Sequence, residues 1–508
     1  MNWLDKTIAW VSPETALRRQ MAREVLSKRS TSFGYAAAKT DRLTGNWAPT
    51  SMPVNYLIGS SSVQVRERVR QLVRDFPYFK RAIDAICDYT VGSGIRYQCR
   101  VKDTSGQVHD KNLIAKIEDA FKRWADEADA SGKLHYYELM NLAKRQDVES
   151  GEFLLVRNWI KDRKRFMPLA YQIYEPDWLS TLSIQAQDPK HWIDHGVEFD
   201  IQTGAVYAYH LYNPNTQYGG YNTYGIPTRV PVEQVIHGYQ VLRPMQMRGI
   251  SPFASAVMVA HDLSDYMDAE LDAAKLSAKY MAFVKTSDVF GRQMGATLDD
   301  NGNRIDTLEN GIIEYLRPGE DIQFAVNNRP GTTFPPFVRL VLCMISVATG
   351  VPYELLSGDN SGVNFSTSRV IRTDFATTLK PIIDRHIRQF CQPTAWAFLD
   401  AAVLTGKLDL PGYAKNPWPY REMVWQPPGM QSVDPLREAK ANIDEMTLGL
   451  RSPQEIAQAR GRDLGEIYSE IEAAKKMADG MGLDFLTKPS TALANSPAVI
   501  NNMSGTGS

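Results

Sequence analysis

Apolar residues settle into a helical period at Val63. In VQVRERVRQLVRDFPYFKRAIDAICDYTVGSGI they recur at Val65, Val69, Leu72 and Val73, break at Pro77, resume, and stop at Gly92 and Gly94. A second helix pair is expected over about 110–148. The pattern then changes. GEFLLVRNWI, LAYQIYEP and VEFDIQTGAVYAYHLYN are β-branched and aromatic runs, the last with a turn at Gln202-Thr203-Gly204, and RVPVEQVIHGY closes a β-rich region. Three helical segments follow. The first, 252–285, opens with Pro252 at a favoured first-turn position. The second is 334–350. The third, 366–406, has a Ser/Thr-rich start, a stop at Gly406, and kinks expected at Pro381 and Pro393. Between the first two lies a β-like insertion, 286–333, with Gly, Asn and Asp turns. Helices at about 433–447 and 452–481 precede a tail whose composition predicts disorder. Residues 1–62 read as an arm: a basic amphipathic helix around 12–29, with Arg18, Arg19, Arg23, Lys28 and Arg29, and then a turn-rich stretch without a sustained period. The fold class is α+β.

Two of these helices are unlike ordinary amphipathic ones. Wound at 100° per residue, 252–285 gathers Asp262, Asp265, Asp268 and Asp272 into a sector of about 120°, with Leu263, Met267, Leu271 and Ala274 opposite. No Lys or Arg precedes Lys275, so no i,i+4 cation within the helix is expected to neutralise them. Such a stripe is either a solvated face or, with several copies around an axis, a stack of acidic rings that repels phosphates. The helix at 334–350 is apolar nearly all round (Phe337, Val338, Leu340, Val341, Leu342, Met344, Ile345, Val347) and is expected to be covered on every side, by its own core or by neighbouring subunits.

SGDNSGVNFS joins that helix to the next one. It is Gly-rich, polar, without a cation until Arg369, and its following helix is expected to be capped at Asn364 or Ser366. Position and composition admit a phosphate cradle, a nucleophile turn, a lid or a mechanical loop. Chemistry motifs are missing: there is no G-x-x-x-x-G-K-[ST], no G-x-S-x-G, and VGSGI follows a helix rather than a strand. His191 and His195, four apart, are a metal pair only if they share a helix face and gain a third ligand. No catalytic residue, metal or cofactor is expected, and the protein is not expected to be an enzyme.

Composition adds bounds. The chain has 508 residues, 43% hydrophobic and 23% charged, with a formal charge of −1, so no global charge excess recruits nucleic acid or anionic lipid. Cys87, Cys99, Cys343 and Cys391 form no C-x-x-C and are expected to be reduced thiols. The N-terminus lacks the apolar run of a secretory signal, and 337–351 is shorter than the ~20 residues of a bilayer span, so no membrane partner is expected.

Several blocks, in order over roughly 30–480, resemble the lambda-type phage portal proteins. They are RERVRQLVRDFPYFKRAIDAICDYTVGSGI with its V-G-x-G-I turn, VEFDIQTGAVYAYHLY, and RVPVEQVIHGYQVLRPMQMRGISPFASAVMVAHDLSDYMDAELDAAKLSA with its Q-x-R-G hinge. ATGVPYELLSGDNSGVNFSTSRV and SVDPLREAKANIDEMTLGLRSPQEIAQARGRDLGEIYSEI complete the set.

The resemblance implies a ring, usually a dodecamer, at one vertex of the phage head, hence a virion location after assembly in host cytoplasm. Its other implied partners are double-stranded DNA in the channel, the terminase large subunit, a head–tail adaptor, and the major capsid and scaffold proteins. By position it implies an N-terminal arm (1–62), wing (63–250), stem helix 1 (251–285), clip (286–333), stem helix 2 (334–352), tunnel loop (353–365), kinked helix and wing return (366–432), crown (433–485) and disordered tail (486–508). The expected tunnel-loop residues are Ser357, Gly358, Asp359, Asn360, Ser361, Gly362, Val363 and Asn364. The expected channel stripe is Asp262, Asp265, Asp268 and Asp272, and the expected stem-packing set is Phe337, Leu340, Val341, Met344 and Ile345. Two other classes compete: a ring-forming structural or secretion-type channel without DNA traffic, and an enzyme using the Asp-rich helix as a metal site.

Overall fold

A computed structural model describes residues 51–101, 110–212, 226–279, 282–286, 297–298, 304–305, 320–324, 331–429 and 435–483. The expected basic helix at 12–29, the tail from 486 and most of 286–333 lie outside the described residues. The chain divides into Met1–Tyr56, of which only 51–56 are described, and a body, Leu57–Ser508.

Helix α1 (Val54–Asp75) begins earlier than the apolar period announced. Its first turns, VNYLIGSSS, carry no apolar stripe, and Gly and Ser are weak helix formers. Tertiary packing supplies what propensity lacks: the His195 ring lies so close to Gly59 that a Cβ there would sit 1.9 Å from its Nε2. Pro77 opens α2 (Pro77–Thr90), which ends before Gly92 and Gly94 as the pattern predicts. Strand β1 is Arg96–Cys99, and α3 (Lys111–Ala125) and α4 (Tyr136–Glu149) form the expected second pair.

Strands β2 (Glu152–Trp159) and β3 (Leu169–Tyr174) start the β-rich region. β4 (Ser183–Gln185), β5 (His191–Asp194), β6 (Val197–Asp200), β7 (Val206–Leu211) and β8 (Thr228–Pro231) make a five-stranded antiparallel meander. β9 (Val235–Tyr239) joins β2 and β3 in a separate sheet of order β3-β2-β9.

Helix α5 is Val257–Lys279, shorter than the expected 252–285 at both ends. At its root the chain makes turns, with Ala254 N–H donating to Ser251 O and Ala256 N–H to Phe253 O, so Pro252 starts a turn and not the helix. At its far end AFVKT, with its aromatic and β-branched residues, is strand β10 (Ala282–Thr286). β10 pairs with β13 (Glu320–Phe324), while β11 (Thr297–Leu298) pairs with β12 (Arg304–Ile305).

Next come α6 (Phe334–Thr349), the short α7 (Tyr353–Ser357) and α8 (Phe365–His386). Helix α8 runs through Pro381, and a π-helical turn, Ile387–Cys391, leads into α9 (Gln392–Leu404). That irregularity ends two residues before Pro393, which has no N–H to continue a regular ladder. β14 (Met423–Gln426) returns to pair with β1, a long-range ribbon of two four-residue strands too short to show a period in sequence. The last helices are α10 (Pro435–Thr447), α11 (Pro453–Ala459) and α12 (Leu464–Gly480). The expected single helix over 452–481 is split at Gly461, and Asp463 recaps the chain by accepting from Glu466 N–H.

Three cores hold these elements. One packs α3, α4, β2, β3 and α9 around Trp124, Phe121, Tyr136 and Phe398. The second packs α1, α2, α6 and α8 with the root of α5 around Val69, Phe79, Phe253, Leu263, Ile345 and Phe375. The third, smaller core lies between the two larger sheets, around Leu154, Val197 and Tyr209.

His386, at the end of α8, is buried, stacked on Phe390 at 5.3 Å and edge-on to Phe153. Beside it, Asp147 takes both Lys144 (2.6 Å) and Arg385 (2.9 Å). Burial, then the nearby Lys144 charge, pulls the His386 pKa down to about 3. Below about pH 6.5 the unfolded chain therefore binds a proton that the folded chain refuses, so this residue costs stability increasingly as pH falls, until about pH 3. His386→Phe keeps an aromatic ring at the site and removes the titration. Urea unfolding of the variant is expected to gain about 2 kcal/mol on the wild type between pH 7 and pH 5; a gap that does not change with pH would contradict the assignment.

Candidate functional site

The candidate site comprises α5, α6 and the loop that follows α7. Prolines in its first turn start α6, and Gly350 ends it in the left-handed conformation (φ 73). One face of α6 belongs to the second core, with Leu342 and Ile345 buried and Val338 and Val341 packed against it. The other face is bare. Phe337, Leu340, Met344 and Val347 are 46%, 61%, 51% and 85% exposed, and their 3-4-3 spacing sets them on one line. The expected stem-packing set therefore divides: Val341 and Ile345 pack inward, while Phe337, Leu340 and Met344 face out, Phe337 forming a T-shaped pair with Tyr266 of α5 at 5.1 Å. Within one chain this helix is not covered on every side.

On α5, Asp262, Asp265, Asp268 and Asp272 are all exposed. Leu263 is buried and Met267 half-buried, but Leu271, expected on the apolar face, is 54% exposed because the helix outruns its core. The acidic stripe has one cationic partner at i,i+3 and one imidazole neighbour at i,i+4. Lys275 reaches back three residues to Asp272 at 3.0 Å, and His261 Nε2 lies 3.6 Å from Asp265.

The loop between helices is 358–364, shorter than the expected 353–365, because 353–357 form α7. It is folded on itself. Gly358 closes α7 at φ 72, and Asp359 N–H donates to Ser357 Oγ. The Asp359 carboxylate accepts from Ser361 N–H (3.0 Å) and Oγ–H (2.6 Å), and these bonds hold its pKa below the ordinary carboxylate value. Val363 N–H donates to Asn360 O, and Asn364 caps α8 by accepting from Thr367 N–H at 2.8 Å. Gly358, Asn360, Ser361, Gly362 and Asn364 are exposed, while Ser357, Asp359 and Val363 are half-covered. The segment has no cation of its own, but the fold brings two to its base. Arg339 of α6 stacks over Tyr353 at 5.4 Å, and Arg81 of α2 donates to Leu355 O. Neither is near in sequence, so only the tertiary arrangement reveals them.

The other expected candidates separate. His191 lies on β5 and His195 in the turn after it, at φ 48, not on a helix. His195 is paired with Asp194 at 2.6 Å, and His191 faces Glu198, which also takes His210 and Arg229. The Arg229 hydrogen bond is the main influence lowering the Glu198 pKa, to about 2. Among the described residues no three His, Cys, Asp or Glu side chains converge as a metal site, and no helix is long and apolar enough to cross a membrane.

Against known families, residues 40–381 match the family described as phage portal protein, lambda family. This chain belongs to the lambda family of phage portal proteins. Across 86% of its length it is 26% identical to the probable portal protein of Halomonas phage phiHAP-1, covering 85% of that protein. It is 21% identical to portal protein B of Escherichia phage lambda, covering 86% of this chain and 88% of the relative. Among solved structures it is similar to the neck of an empty gene transfer agent (GTA) particle (15% identity, TM-score 0.46, 83% of this chain and 97% of that one). The neck of the native GTA particle, computed with C12 symmetry, is similar at TM-score 0.45 and 15% identity, with 83% and 99% covered. As a portal-family protein the chain is a virion connector component.

Proposed function

We propose that copies of this chain close into a ring, most simply a dodecamer, at one vertex of the phage head, and that double-stranded DNA enters and leaves through its channel. The observation that carries the ring is the uncovered Phe337–Leu340–Met344–Val347 line. An apolar line of this length on one helix is unusual for a free surface and suits burial against the next copy. Family membership supports the rest. The terminase large subunit supplies the packaging work and docks on the clip, 286–333, with the head–tail adaptor taking its place afterwards. Capsid and scaffold proteins surround the wing.

In this reading α5 turns its aspartates toward the channel, and the loop 358–364 projects where the passage is tightest. A loop of small polar residues with an ionised Asp359 touches DNA without holding it. Deleting 358–363 tests the reading. Rings are expected to assemble while DNA retained per head falls at least tenfold; full packaging by the deletion protein, or broken rings with packaging intact, would refute it.

A further inference from the structure

The root of α5 is fastened to the β-rich region by one buried carboxylate. Glu152 of β2 is 1% exposed. It accepts from Arg248 Nη2 (2.6 Å) and Nε (3.0 Å), from Gly249 N–H (2.8 Å), and faces His237 Nε2 at 3.0 Å. Arg248 also donates to His195 O (2.6 Å) and Pro176 O (3.3 Å), tying the meander and the segment after β3 to the same point. Backbones meet here with no side chain between them: a Cβ on Gly249 would lie 2.1 Å from Gly151 O, and one on Gly151 2.0 Å from the Ile250 carbonyl carbon. Gln246 closes the preceding turn, accepting from Leu242 N–H and donating to Arg248 O. The Q-x-R-G hinge of the sequence is thus a built joint.

A second guanidinium waits beside it. Arg66 of α1 is 2% exposed, yet its Nε and Nη1 have no hydrogen-bond partner, although Nη1 lies 3.3 Å from Asp177 Oδ1. Asp177 is already served by Arg70, at 2.9 Å. Asp177 directly follows Pro176, whose carbonyl Arg248 reaches, so the two guanidiniums sit against the same short segment. Buried donors without acceptors are rare and costly, and one reason to keep them is a second arrangement in which they are used.

We propose that this joint has two states and that Arg66 is the reserve partner: when the root of α5 draws Arg248 away, Arg66 takes the Glu152 carboxylate. The helix then swings against the β-rich region without leaving a buried charge bare, which is the usual penalty for breaking such a pair. This inference does not depend on what passes through the protein.

Hydrogen exchange of the full chain, in Arg248→Met, Arg66→Met and the double variant, tests it. Arg248→Met is expected to fold, with exchange over 246–257 at least tenfold faster and protection of 139–149 and 394–403 unchanged. Arg66→Met alone is expected to alter exchange less than twofold. The double variant is expected to lose protection in β2 and β9 at least tenfold beyond the product of the single effects. An Arg248→Met chain that fails to fold, an Arg66→Met chain that does so, or a double variant equal to that product would overturn the proposal.

Discussion

Replacing Leu340 and Met344 together by lysine leaves a folded chain that no longer assembles. Both side chains lie outside the core, so the fold loses little. Each is about half exposed in the single chain, so covering it completely is worth about 1 kcal/mol, and a lysine at the contact removes that gain and adds a desolvation cost. A loss of about 3 kcal/mol per contact weakens association more than about 100-fold. Sedimentation reads the assembly and circular dichroism the fold. The control is Ile345→Lys, one residue along the same helix. Ile345 is fully buried in the second core, so this change is expected to unfold the chain and not merely to disperse it. Assembly by the Leu340/Met344 variant at wild-type concentration would exclude the α6 line from the interface.

Changing Asp262, Asp265, Asp268 and Asp272 to lysine is expected to leave assembly largely intact and to slow DNA passage at least tenfold. All four are exposed, so the core is untouched, and each replacement adds two units of positive charge. A cationic lining holds phosphates by releasing their counterions, so passage is expected to recover in part as salt is raised. Packaging assays at two ionic strengths check this. Loss of assembly, with normal passage through any rings that survive, would place the stripe against a neighbouring subunit.

Much of the element order was legible because the signals were local. Pro77 broke α1 from α2, and of the two caps expected, Asn364 and Ser366, it is Asn364 that caps α8. The displaced starts of α1 and α5 come from contacts made far along the chain, whereas the split at Gly461 and the short α7 are local. The early start of α1 rests on His195 packing over Gly59, and the late start of α5 on turns built around Ser251, whose hydroxyl donates to Val148 O. The pairing of β1 with β14 joins strands more than three hundred residues apart. The candidate site was legible to a similar depth. Composition singled out the acidic stripe and the apolar helix, but which apolar residues face inward depended on where α1, α2 and α8 pack. The Glu152 joint gave no signal beyond the Q-x-R-G hinge, because its acceptor lies on another strand and its reserve guanidinium on α1.

The most direct measurement is electron microscopy of the purified full-length protein. The account predicts closed rings with an axial opening that admits duplex DNA, with the Phe337–Val347 line of each copy covered by its neighbour. Monomers or open chains at assembly concentration, or a ring whose opening is too narrow for a duplex, would contradict it.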